Sequence, residues 1–253
     1  MSVFQLKAVT CAMAVSGALM AAPAQAATIT VSVLDAAAYN GSFDSGSNVG
    51  EDFEALGATN GEGQVANGFA TAVGNFATLG GQGTGGTVTG LPGNSGELLA
   101  LRDGNVFGRE NITPVGGSWF LDSNDTWGMD WDVALAGGRA FSKIMFALSD
   151  ASDQGAYLRI TTGTDSAEVR TGGTLPSGND KLVIIDFGAA VTSAEILLGN
   201  FTTSGGTTFK KNDGFSIDGL QVAAVPIPAS LLLLGTALAG LGAASSRRRR
   251  RTV

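Results

Sequence analysis

The chain contains no histidine and a single cysteine, Cys11, among 253 residues. Without histidine there is no Ser-His-Asp triad, no Cys-His pair and no His-ligated zinc or haem. Cys11 falls in a segment expected to be removed, so the mature protein is expected to have no disulfide, no thiol nucleophile and no Cys-ligated metal. Basic residues are also scarce, at 15 Lys plus Arg against 22 Asp plus Glu. Six of the 15, Lys7 and Arg247 to Arg251, lie in end segments that hold no acid. The middle therefore carries nine bases against 22 acids, a charge of −13. Such a surface repels phosphate backbones and anionic headgroups, which argues against nucleic acid as a partner and favours cations.

The two ends read as addresses. Lys7 is followed by an almost unbroken run of small and apolar residues from Ala8 to Ala22 and then by Ala24-Gln25-Ala26. A basic start, an apolar stretch and an A-x-A site make a secretory signal peptide over residues 1–26, cut between Ala26 and Ala27 by signal peptidase. At the other end Val225-Pro226-Ile227-Pro228-Ala229 precedes the apolar stretch Ser230 to Ala244, and Arg247, Arg248, Arg249, Arg250 and Arg251 follow. A helix of that length is shorter than the roughly 30 Å apolar core of a bilayer, but arginines snorkel and bilayers thin locally. Pro228 suits a first helical turn. The arginines hold their end on the cytoplasmic face, which places the body outside the inner membrane.

Pro226-Ile227-Pro228-Ala229-Ser230-Leu231-Leu232-Leu233-Leu234-Gly235, with Leu238-Ala239-Gly240-Leu241-Gly242 and the arginine cluster, resembles the C-terminal sorting signal of PEP-CTERM proteins in its VPLPA variant. Ile227 stands where that variant has Leu. The resemblance covers about 28 residues of 253, and the region from 225 to 251 is the expected sorting signal. It implies recognition of the Pro-x-Pro motif by an exosortase-type transpeptidase, transient anchoring in the inner membrane, and release to the cell surface of an exopolysaccharide-exporting, Gram-negative cell.

Between the signals, residues 27–224 hold 34 of the 38 glycines in the chain. Interior glycines cost a helix about 1 kcal/mol each, so long helices are not expected. Short alternating or β-rich runs, bounded by Gly, Asn or Asp, occur at 28–34, 84–89, 118–121, 128–133, 142–148, 156–162, 182–187, 195–201 and 215–222. They predict one all-β domain, an antiparallel β-sandwich of jelly-roll type, flanked by the signal helix and the C-terminal transmembrane helix. Only residues 51–77 carry a competing helical spacing, interrupted by glycines. In 215–222, Phe215 and Ile217 are expected to face the core, Ser216 and Asp218 the solvent.

The densest polar cluster is residues 121–132. Asp122, Asn124, Asp125, Asp130 and Asp132 supply the oxygen ligands that Ca²⁺ takes, although their spacing is not that of an EF-hand loop. On a strand, Asp130 and Asp132 share one face and repel unless a cation or basic residue lies between them. Ca²⁺ is the one cofactor these residues suggest; the competing reading is a solvated acidic turn. Trp119, Trp127 and Trp131 lie in the same segment and offer either core packing or a platform for sugar rings. The function expected from these features is a non-enzymatic cell-surface or extracellular-matrix protein associated with exopolysaccharide or biofilm. The alternatives are a carbohydrate-binding module with a structural Ca²⁺ site and, behind it, a glycoside hydrolase using two carboxylates.

Overall fold

The computed structural model describes residues 28–39, 48–81, 98–113, 116–153, 155–163, 165–170 and 175–225, together with Thr236 and Ala239. The expected signal peptide, the run at 84–89, Pro226 to Ala229 and the arginine cluster lie outside the described residues.

All strand pairs are antiparallel. One sheet runs in the order β1 (Thr30–Asp35), β14 (Asp180–Val191), β11 (Phe141–Ser149), β17 (Ser216–Ala224), β9 (Trp119–Asp122), β6 (Ala100–Asp103) and β3 (Gly63–Gln64), with β2 (Asn48–Glu51) also paired to β17. The other runs β13 (Asp165–Val169), β12 (Tyr157–Thr162), β15 (Ser193–Ser204), β10 (Gly128–Ala134), β5 (Gly74–Thr78) and β4 (Phe69–Thr71), with β16 (Thr207–Lys210) paired to β15. A small hairpin joins β7 (Asn105–Val106) to β8 (Arg109–Glu110). Among the residues described from 28 to 225, the one α-helix, α1, covers Glu54–Asn60. Glycine-interrupted residues 51–77 thus give one short helix and then strands.

The two sheets share one core. Phe76 of β5 stacks on Trp131 of β10 at 5.2 Å, and Trp131 meets Phe146 of β11, in the opposite sheet, edge-on at 5.8 Å. This contact makes the pair of sheets a sandwich. Strand β10 shows the alternation its sequence predicts: Met129, Trp131 and Val133 are buried, while Asp130 and Asp132 point away. Trp131 has no exposed surface, and its Nε1 donates to the Val73 carbonyl at 3.2 Å.

Strand β17 departs from its expected alternation. It lies inside its sheet, and every residue but Gln221 is buried. Phe215 and Ile217 face the core as expected, but Asp218 does not face solvent. Its Oδ2 accepts from the backbone N–H groups of Ile112 and Thr113 at 2.8 Å each and from Asn111 Nδ2 at 2.9 Å. Its Oδ1 accepts from Gly219 N at 2.7 Å. The segment 111–113 and Tyr39, whose hydroxyl donates to the Gly219 carbonyl at 2.7 Å, cover what a free sheet would expose. Gly219 has φ +57°, and a Cβ there would overlap the Thr113 methyl, so only glycine permits this approach.

Candidate functional site

Two clusters of charge stand out. The first is on the outer face of the β10 sheet. Asp132 lies directly across from Glu195 of β15, and Asp130 is two residues along β10. One carboxylate oxygen from each of Asp130, Asp132 and Glu195 lies within 4.8 Å of the others. Burial first, then the negative charges of Asp132 and Glu195, push the Asp130 carboxyl up. Three like charges at this separation repel, and a divalent cation with oxygen ligands suits them. Sequence reasoning found Asp130 and Asp132 but not Glu195, because only strand register brings β15 alongside.

The second cluster is buried, at the end of the sandwich where the turn from β9 to β10 meets the β7–β8 hairpin. Arg109 Nη1 lies 3.0 Å from Asp122 Oδ1 and 3.3 Å from Asp125 Oδ1. Arg102 Nε lies 3.6 Å from Asp122 Oδ2, and Arg102 Nη2 donates to Asn124 Oδ1 at 2.9 Å. The turn folds this way because Asp122 Oδ1 also accepts from Asn124 N at 2.7 Å, an Asx-type turn, and because Asn124 and Asp125 tolerate positive φ. Burial alone lowers the Arg109 pKa, but Asp122, Asp125, Asp150 and Asp213 together raise it. Asp125 is pushed up by burial in spite of Arg109. Asp150, at the start of the β11–β12 turn, rises to about 6 through burial, against the hydrogen bond from Gly178 N. Asp213, just before β17, rises to about 7 through burial and the charge of Asp153.

The five candidate Ca²⁺ ligands of the sequence are therefore divided. Asp122, Asn124 and Asp125 lie in the buried corner against guanidinium groups, while Asp130 and Asp132 lie on the outer face with Glu195. Asp122 is held by two arginines that sequence reasoning did not single out. Their signal was present: Arg102 interrupts the apolar run Leu98 to Leu101, and an arginine within a buried strand calls for an acidic partner.

The three tryptophans also separate. Trp131 is wholly enclosed by Phe76, Phe146 and their neighbours and offers no face to a sugar. Trp119 is half-buried beneath α1, where a Cβ on Gly57 would overlap its ring. Glu54, the first residue of α1, fixes this contact by accepting from Ser118 N at 2.7 Å and Trp119 N at 2.9 Å. Trp127, also half-buried, lies against the backbone of Gly80 and Gly81 and holds the Lys210 ammonium 4.6 Å from its ring centre. Elsewhere, a groove of about 310 Å³ runs between the edges of β1 and β13, lined by Val33, Leu34, Val169 and Leu175 among others. The Lys181–Asp35 ion pair on its rim, at 2.7 Å, holds Asp35 below the usual carboxylate range.

Among the described residues, no helix is long and apolar enough to cross a membrane. No protein-family model matches the chain, and no curated protein matches it.

Proposed function

We propose that this is an exported, non-enzymatic cell-surface or extracellular-matrix protein, delivered through a PEP-CTERM-type tail and retained among exopolysaccharides. The observation that carries the reading is the order of the tail: Pro226-Ile227-Pro228-Ala229, an apolar stretch, then Arg247 to Arg251. The edge of the folded body supports it. Strand β17 ends at Ala224, and Val225 N makes a hydrogen bond to the Ala140 carbonyl at 2.7 Å. The Pro-x-Pro motif begins at the next residue, so a transpeptidase cutting there would sever the body without removing a strand. At the other end β1 begins at Thr30, four residues beyond Ala26, the proposed signal-peptide boundary.

In this reading the sandwich is a jelly-roll-like module whose acidic surface contributes adhesion or matrix structure. Mass spectrometry of both ends of the natural protein tests it. A mature species beginning at Ala27 and ending near Ala229 is expected; a cell-surface species that retains Arg251 would refute processing.

The trio Asp130, Asp132 and Glu195 favours a second reading, a carbohydrate-binding module whose sheet face is organised by Ca²⁺. A glycan array with calorimetry, run with Ca²⁺ and again with EDTA, separates the two. Absence of sugar binding in both conditions counts against the second.

A further inference from the structure

Among the described residues, six other than glycine have positive φ: Phe53, Phe107, Asn124, Asp125, Asp150 and Ser152. Four of them are Asn, Asp or Ser, and their side chains accept hydrogen bonds that hold the conformation: Asn124 Oδ1 from Arg102, Asp125 Oδ1 from Arg109, Asp150 Oδ1 from Gly178 N and Ser152 Oγ from Leu158 N. Phe53 has no exposed surface and packs edge-on against Phe76 at 6.3 Å. Phe107, at φ +55°, has neither kind of compensation, since its side chain cannot hydrogen-bond and the residue is 64% exposed. A lone exposed apolar residue is ordinary. A bulky one held in the left-handed region is an outlier, and such strain is concentrated where a protein binds or reacts.

The turn sharpens the point. Strands β7 and β8 are joined by two residues, Phe107 and Gly108, both at positive φ, the hairpin turn for which Asn-Gly is the favoured pair. The tip is braced from below. Gly108 N donates to Asn105 Oδ1 at 3.1 Å, Ser149 Oγ donates to the Gly108 carbonyl at 3.2 Å, and Arg109 Nε donates to the Val106 carbonyl at 3.0 Å. A Cβ on Gly108 would lie 2.9 Å from Asp150 Oδ1, so the hairpin sits close on the β11–β12 turn. Phe107 is therefore presented outward from a well-anchored support.

We infer that Phe107 is the stacking platform of a binding site for a neutral, hydroxyl-rich glycan. The inference rests on the reading of a protein retained among exopolysaccharides, and it names the residue that would hold them. A sugar ring has apolar C–H faces that lie flat on an aromatic ring, with hydroxyls around its edge. Asn105 and Glu110, exposed and joined at 2.8 Å on the same hairpin, offer amide and carboxylate groups to those hydroxyls. A protein partner or a bilayer would call for an apolar area around the ring, and the exposed hairpin residues beside it are polar. An acidic glycan is disfavoured by the charge of −13 on the body and by the burial of Arg109, the one base of the hairpin. Phe107 also takes the part that the three tryptophans do not, because Trp131 is enclosed, Trp119 lies beneath α1 and Trp127 lies against Gly81 and Lys210. The platform needs no metal and shares no residue with the trio of Asp130, Asp132 and Glu195.

The test puts the full-length protein, in EDTA, on a glycan array carrying neutral glucans, mannans and galactans beside alginate, with affinities from calorimetry and thermal unfolding in parallel. Wild type is compared with Phe107→Asn, which suits the turn, and with Phe107→Tyr, which keeps the ring. Wild type and Phe107→Tyr are expected to bind a neutral glycan, and Phe107→Asn to bind it at least about tenfold more weakly while its Tm equals or exceeds that of wild type. A lowered Tm in Phe107→Asn would show that the ring serves the fold and would overturn the inference. No binding by wild type, binding to alginate alone, or binding kept by Phe107→Asn overturns it as well. A blank array together with a protein captured by a photo-cross-linker at position 107 overturns it in favour of a protein contact. The masses of the natural termini are indifferent to Phe107, so a processed protein that binds no glycan sinks this inference alone, and an unprocessed one that binds sinks only the sorting reading.

Discussion

Arg109 Nη1 and Asp122 Oδ1 are 3.0 Å apart in side chains 2% and 0% exposed, so each charge depends on the other for what water would otherwise provide. Breaking such a pair from one side costs about 3–5 kcal/mol, because the surviving charge stays buried without compensation. Arg109→Met keeps most of the side-chain volume and removes the charge, leaving Asp125 without its ion-pair partner and Asp122 with Arg102 alone. Chemical denaturation should show a loss in this range. Gly214→Ala attacks the same guanidinium from outside, since a Cβ there would collide with Arg109 Nη1. The two substitutions should be strongly non-additive in a double-mutant cycle, because the second has little left to disturb.

Asp218 makes stability depend on pH in a direction opposite to that of an ordinary salt-bridged carboxylate. Burial pushes it up to about 7 against the pull of the Thr113, Ile112 and Gly219 N–H groups. The folded protein thus holds this proton more tightly than the unfolded chain, whose ordinary value is 3.8. Its stabilising contribution is complete below about pH 4 and is lost as pH rises through about 7, a swing on the order of 4 kcal/mol. In Asp218→Asn the amide cannot ionise, and its Nδ2 opposes Gly219 N–H. The variant should be less stable than wild type at pH 4, with the gap narrowing or reversing by pH 8, as read from Tm against pH.

The carboxylate trio on the outer face should respond to a cation supplied by the chain itself. Asp132→Lys places an ammonium between Asp130 and Glu195 and exchanges repulsion for attraction. In EDTA at low ionic strength the variant should gain roughly 0.2–1 kcal/mol, and 1 M salt should erase most of the gain. An equal gain at both salt concentrations would mean that charge is not its source.

Trp131 and Trp127 lie four residues apart and should behave differently. Trp131→Ala empties the centre of the core between Phe76 and Phe146 and should cost about 3–5 kcal/mol. Trp127→Ala forfeits a half-buried ring and the Lys210 contact, a loss of about 1 kcal/mol. Urea unfolding of the two variants reads the difference directly.

Much of the sandwich was legible in the chain because strand alternation is local. The pattern Met129-Asp130-Trp131-Asp132-Val133 assigns inner and outer faces with no knowledge of partners, and the glycines within 51–77 argue against a continuous helix there, where the structure has only the seven residues of α1. Strands β2, β3, β4, β5, β6, β7, β8, β13 and β16 were not anticipated, being two to five residues long. Their existence depends on what pairs with them.

The two terminal addresses we propose rest on sequence alone, since the charge, apolar length and small residues that suggest them need no fold. Strand faces and the acidic character of the body belong to the same class. Only the tertiary structure decided which polar residues are removed from water: that Asp122 is clasped by Arg102 and Arg109, that Asp218 lies beneath residues 111–113, and that Glu195 joins Asp130 and Asp132. The reason is that alternation tells which way a side chain points, while its solvation depends on what distant segments lay over that side.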